Sequence, residues 1–211
     1  AVSVWETLAS KYQNPVWKDR ALLAAADTCA RHLEDFEKAF RYYKQVQKIT
    51  KLAWQYRGRA KKQIELLQSQ QLALETDKVF LSTEAPAVQI KVRNTKSLQV
   101  KVFRLDLQTY FRKAFDIFNV HNLDIELIDP DHQFVWNVPD YKKYRLAEHK
   151  IPLAEENKPG AYLVHCSSKK HKATTLVIVS DIGLIVRASR GEIFGSVSDL
   201  KSGQPLGDAR I

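Results

Sequence analysis

Apolar positions recur at helical spacing through the first third of the chain and then switch to strict alternation near Val88. The opening VSVWETLASKY reads as a helix that Asn14-Pro15 stops, because the residue before a proline is driven out of the helical region. In WKDRALLAAADTCARHL the residues Leu22, Ala25, Ala26, Cys29 and Leu33 share one face. Asp35 can cap a following helix, DFEKAFRYYKQVQKI, whose stripe is Phe36, Ala39, Phe40, Tyr43 and Val46. In LAWQYRGRAKKQIELLQ the side formed by Ala53, Tyr56, Ala60, Ile64 and Leu67 is apolar.

The period then becomes two. Val88, Ile90 and Val92 alternate with polar residues, as do Leu98, Val100 and Val102 after the turn Asn94-Thr95-Lys96-Ser97, which predicts a β-hairpin. Past Asp106, a short helix places Leu107, Tyr110, Phe111 and Ala114 on one face for burial on a sheet. A lead-in strand is expected over Glu75–Leu81. Further strands are expected at LDIELID, HQFVWNV, EHKIPL, GAYLVHCS and ATTLVIVS. The pattern is α+β: a helical region over 1–73, a seven-stranded antiparallel β-sandwich over 74–180, and the first strands of a further, incomplete β-domain over 181–211.

The helices ALLAAADTCARHLEDFEKAFRYYKQV, with small residues on one helix and a D-F-E-K-A-F start to the next, resemble a tetratricopeptide repeat of about 34 residues. With 211 residues, ordinary apolar content and few Gly or Pro, the chain can build a core without staples. No run approaches the roughly 18 apolar residues of a membrane span. The chain lacks Met and a signal peptide, and it is expected to be a piece of something longer.

Charge is unevenly distributed. Residues 1–73 carry 13 Lys/Arg against 7 Asp/Glu. Nine basic residues and no acidic one lie from Lys38 to Lys62: Lys38, Arg41, Lys44, Lys48, Lys51, Arg57, Arg59, Lys61 and Lys62. This block is a candidate surface for a polyanion or an acidic partner, with Tyr42, Trp54 and Tyr56 as stacking residues. Against it stands the reading of a solvated helix face, since Lys38, Arg41, Gln45 and Lys48 fall opposite the apolar stripe.

Catalytic and metal chemistry find little footing. Asp129, Asp131 and His132 bunch as a D-P-D turn between strands. His165 and Cys166 alternate to opposite sheet faces, which disfavours a Cys-His nucleophile, and Cys29 and Cys166 read as small buried hydrophobes. Glu155 and Glu156 precede an ordinary polar loop. No phosphate-binding Gly-rich loop or hydrolase elbow is present, and no cofactor is expected. The chain reads as an interaction or structural unit, not an enzyme.

RNTKSLQVKVFRLDLQTYFRK, LDIELIDPD, PGAYLV and ATTLVIVSDIGLIVRASRGEIFGSVSDLKSGQPLGDARI together resemble the amino-terminal macroglobulin domains of bacterial alpha-2-macroglobulin-like proteins. The resemblance spans about Phe80 to the end. It implies a scaffold segment of a large periplasmic or secreted protease trap, whose partners are the remaining domains of the parent chain and proteases. In that family many members carry a thioester in C-x-E-Q; neither Cys29 nor Cys166 lies in such a motif. The resemblance therefore brings no catalytic residue to this chain.

Overall fold

The computed structural model describes residues 2–11, 14–48, 54–114, 125, 128–153 and 158–208. It forms two compact units, one gathering Ala1–Gln71, Val92–Lys96 and Val138–Ala147, the other Leu72–Lys91, Ser97–Asn137 and Glu148–Ile211.

In the first unit four helices follow one another: α1 (Val2–Lys11), α2 (Pro15–His32), α3 (Phe36–Lys48) and α4 (Trp54–Gln68). Asn14 caps α2, its Oδ1 accepting from the Val16 N–H at 3.0 Å, with Pro15 following where a missing N–H costs nothing. Asp35 caps α3 through the Lys38 N–H at 2.9 Å. Wholly buried Ala25, Ala26, Ala39 and Ala60 let the helices approach closely around Cys29, Tyr43, Val46 and Ile64.

Two expectations are corrected here. Leu33 is exposed, because α2 ends at His32 and Glu34 turns the chain at φ 51°. Tyr42 is buried on the core side of α3, so it is not a stacking residue; the α3 stripe includes Tyr42 and Tyr43, with Phe36 and Phe40 half-buried at its edge. Both tyrosines have their hydroxyls answered. Tyr42 donates to Glu6, which also pairs with Lys38 at 3.4 Å, and Tyr43 donates to Asp27 at 2.7 Å. Asp27 pairs in turn with Arg59 at 2.6 Å, joining α2, α3 and α4.

A helix C-terminus leaves its last carbonyls without intrahelical donors. In α4 these are answered by two consecutive side chains from the loop at Val92–Lys96. Arg93 donates to the Leu66 carbonyl at 2.8 Å, and the Asn94 amide donates to those of Leu67 and Ser69 at 2.7 and 2.9 Å. Asn94 adopts φ 57°, a left-handed conformation that asparagine tolerates better than most residues. Its Oδ1 accepts the Tyr144 N–H at 2.9 Å, and the Tyr144 ring stacks on Phe40 at 4.6 Å.

The strands are β1 (Gln71–Glu75), β2 (Ala87–Arg93), β3 (Ser97–Leu105), β4 (His132–Asn137), β5 (Leu146–Pro152), β6 (Gly160–Ser167), β7 (Lys172–Val179), β8 (Ile182–Ser189) and β9 (Glu192–Asp199). The first seven form the expected sandwich as a three-stranded sheet, β1-β2-β5, and a four-stranded sheet, β4-β3-β6-β7. The expected hairpin is not one: β2 and β3 lie in different sheets. Both bury every second side chain, Val88, Ile90 and Val92 in one and Leu98, Val100 and Val102 in the other, and such alternation suits an arch between sheets as well as a hairpin within one.

The lead-in strand falls earlier than expected, at Gln71–Glu75. Within Glu75–Leu81, Phe80 alone forms a bridge, donating its N–H to Ile178 at 2.9 Å. The expected LDIELID strand lies largely outside the described residues. β3 pairs antiparallel with β4 and β6, and β6 with β7.

The fifth helix, α5 (Leu107–Ala114), is started by Asp106, which accepts from the Thr109 N–H at 3.0 Å. Its Leu107 and Tyr110 cover Phe103, Leu163 and Leu176, whereas Phe111, about 100° further round the helix, is half exposed, contrary to the expected burial. β8, a strand not anticipated from the sequence, pairs with β9. A Cβ at Gly183 would lie 2.6 Å from the Leu200 Cδ2, so a larger residue there would turn that half-exposed side chain aside. Asp181 accepts from the Ser82 N–H at 2.8 Å and pairs with Lys201 at 3.0 Å, closing the base of this hairpin.

Asn94→Ala removes three hydrogen bonds and strains the left-handed position; it is expected to cost about 2–4 kcal/mol in urea unfolding. Asn94→Gly loses the same bonds without the strain and should cost roughly 1–2 kcal/mol less than alanine. Equal losses for the two would remove backbone strain from the explanation.

Candidate functional site

The basic block maps onto α3 and the first half of α4, and its members are not equivalent. Lys38 is paired with Glu6, and Arg59 with Asp27. Lys44 lies over the Phe40 ring at 5.6 Å. Lys61 reaches Glu65 at 3.8 Å along the helix, a pair exposed on both sides and worth little in water. Arg41, Lys48, Arg57 and Lys62 are exposed, with no acidic ion-pair partner among the described residues. Lys51 lies outside the described residues, as does the Trp54 side chain. Tyr56 is half-buried against the helical core.

Between α3 and α4 a groove of about 420 Å³ is lined by Gln47, Arg57, Gly58 and Lys61. Periodicity hides this grouping, because Gln47 belongs to a different helix and Gly58 carries no side chain to signal a site. Nearby in charge terms is Asp19 on α2, wholly buried, with neither carboxylate oxygen hydrogen-bonded. Desolvation raises its pKa above the ordinary 3.8, opposed by the positive charges of Arg57 and Lys18.

A second cavity of about 650 Å³ has Glu34 and Glu37 on one lip and Lys142 and Lys143 on the other, with Phe36 and Tyr141 between. Its charges are mixed, and among the described residues no nucleophile with an adjacent base lines it.

The remaining candidates disperse. Cys166 is buried, and desolvation pushes its thiol up to about 12, far from a reactive thiolate. His165, on the other face of β6, meets the Thr174 hydroxyl at 2.9 Å. Burial likewise raises Cys29, and both cysteines are free. Asp131 accepts the Arg104 N–H of β3 at 2.6 Å, which gives its carboxylate a structural role. Among the described residues no three His, Cys, Asp or Glu side chains gather to hold a metal, and no helix is long and apolar enough to cross a membrane. Glu155 and Glu156 lie outside the described residues.

No protein-family model matches the chain, and no match is found among curated proteins. Two solved structures are similar in fold. Native alpha-2-macroglobulin from Escherichia coli spanning domains MG0-NIE-MG1 matches at a TM-score of 0.51 and 12% identity, over 65% of this chain and 47% of that one. The fragment of the same protein spanning NIE-MG1 matches at a TM-score of 0.47 and 12% identity, over 65% of this chain and 73% of that one. The likeness is one of fold, and it agrees with the bacterial alpha-2-macroglobulin-like resemblance carried by the motifs.

The unpartnered Asp19 carboxylate sets a pH test. Its folded pKa is raised, so its cost to stability is present above that value and vanishes as pH falls below 3.8. Asp19→Asn should therefore unfold at higher urea than the parent at pH 7, with the gap closing toward pH 4. A gap that is the same at both pH values would mean that Asp19 is not charged at a cost in the folded chain.

Proposed function

We propose that this chain is a non-catalytic scaffold segment of a larger alpha-2-macroglobulin-like protein that traps proteases in the periplasm or outside the cell. The observation that carries the reading is the two-sheet sandwich, in a chain whose fold is similar over 65% of its length to Escherichia coli alpha-2-macroglobulin spanning domains MG0-NIE-MG1. Residues 181–211 serve as the first strands of a further macroglobulin-like domain, and 1–73 as a tetratricopeptide-like helical module. The β8–β9 hairpin and the segment after it support the first of these. Ile182, Leu184, Ile185, Val186, Ile193 and Phe194 are all more than half exposed, a concentration of apolar surface that a neighbouring β-layer of the parent would cover.

The partners are then the remaining domains of the parent chain and, through the whole assembly, proteases. The residues described supply packing, capping and turns. Asn94 and Arg93 end a helix, Gly183 admits Leu200, and Gly203, at φ 71°, turns the chain after β9.

The protein isolated from its source is expected to have an intact mass several times 24.2 kDa. After incubation with an excess over protease, it should block cleavage of large protein substrates while leaving hydrolysis of small peptides intact. A native chain ending near Ile211, or inhibition of large and small substrates alike, would contradict the reading.

A further inference from the structure

We propose that the α3–α4 groove lined by Gln47, Arg57, Gly58 and Lys61 binds the phosphate group of a polar phosphomonoester. This site is independent of the scaffold reading, which requires no ligand there.

The argument begins with Gly58. It is the fifth residue of α4, inside the helix, where glycine is about the least favourable residue after proline. Interior glycines are explained when another element crowds the backbone, but a Cβ built on Gly58 meets nothing within 4 Å. Packing against the described residues gives no reason for it. A residue without a side chain on the open wall of a groove keeps that wall clear for something else.

The residues around the opening are suited to an oxyanion. Arg57, whose charge also acts on buried Asp19, has no hydrogen bond or ion pair of its side chain among the described residues, which leaves its planar fork of N–H donors for two phosphate oxygens. Lys61 follows one turn later on the same face, its contact with Glu65 long at 3.8 Å and solvated, so an anion can displace it. Gln47 supplies an amide from the opposite helix. Of the other basic residues, Lys38 and Arg59 are committed to carboxylates, and Arg41, Lys48 and Lys62, exposed and without an acidic partner among the described residues, are not among the groove's lining residues.

The size and lining limit the rest of the ligand. A groove of about 420 Å³ exceeds what a bare phosphate fills and lies within the range of small-molecule sites. The described residues that line it are polar or glycine, and Tyr42 is buried elsewhere. Polar walls with an amide suit a hydroxylated body.

The test is an amide-resolved NMR titration of the full chain with glucose 1-phosphate, inorganic phosphate and glucose at low ionic strength. Glucose 1-phosphate is expected to shift the backbone amides around Gln47, Arg57, Gly58 and Lys61 with an affinity of about 1 mM, and glucose to shift none. Inorganic phosphate should shift the same amides; weaker binding than the sugar phosphate assigns the rest of the groove to the polyol, equal binding assigns the site to the anion alone, and both uphold phosphate recognition.

Arg57→Ala should weaken binding about tenfold or more, the loss expected for a charged hydrogen-bond partner, whereas Lys44→Ala, on the Phe40 ring, should change it less than twofold. Gly58→Leu should block the groove and weaken binding about tenfold without lowering the melting temperature, since leucine favours helix and meets no neighbour. Absence of shifts up to ~20 mM phosphate ester, shifts that survive Arg57→Ala, or equal losses in the Arg57 and Lys44 variants would overturn the proposal.

Discussion

The end of α4 is the constraint on which the first unit most depends. A helix terminus in a partly buried setting needs donors for its last carbonyls, and here Arg93 and Asn94 supply three of them. The same Asn94 side chain accepts the N–H of Tyr144, itself in a left-handed conformation at φ 69°, which is unusual for an aromatic residue. Tyr144 is held there by the amide on one side and Phe40 on the other. One asparagine thus links the close of α4, the loop at Val138–Ala147 and, through the ring stack, α3. The Arg93 Nε remains buried without a partner, and desolvation lowers the guanidinium pKa, so the cap carries a local cost that its hydrogen bonds must exceed.

That arrangement also shows which parts of the fold are readable from residues. The alternation in Val88–Val92 and Leu98–Val102 marks two half-buried strands correctly, since period two follows from backbone geometry alone. It does not mark the partners of those strands. Asn94 looks like a hairpin residue because asparagine tolerates positive φ, and it does adopt positive φ, but at an arch between sheets and with its amide on a helix end. Tyr42 is a similar case: one residue beside a stripe lies 100° away from its neighbour, and a bulky side chain there can be drawn into the core when Glu6 waits for its hydroxyl. In β8 all residues but Gly183 are exposed, so no alternation between a buried and an open face marks it.

The candidate site was legible in outline and not in detail. Runs of lysine and arginine announce themselves, and α3 does turn Arg41 and Lys48 to solvent. Which cations are free is decided by acids far off in sequence, Glu6 for Lys38 and Asp27 for Arg59, and no local pattern carries that information. The pairing leaves Arg57 among the unpaired cations, and the fold sets it beside Gln47, Gly58 and Lys61 around one groove. Scaffold and groove are compatible: Arg57 and Lys61 are exposed, and a Cβ at Gly58 meets nothing within 4 Å.

The most direct test of the Asn94 account is native-state hydrogen exchange at the Tyr144 amide. If the Asn94 carbonyl oxygen holds that N–H as part of the cap, its exchange in the parent chain should be as slow as the protected amides of α3, and in Asn94→Gly it should accelerate while amides at the centre of α2 keep their protection. Rapid exchange at Tyr144 in the parent chain would contradict the claim that this asparagine organises the unit.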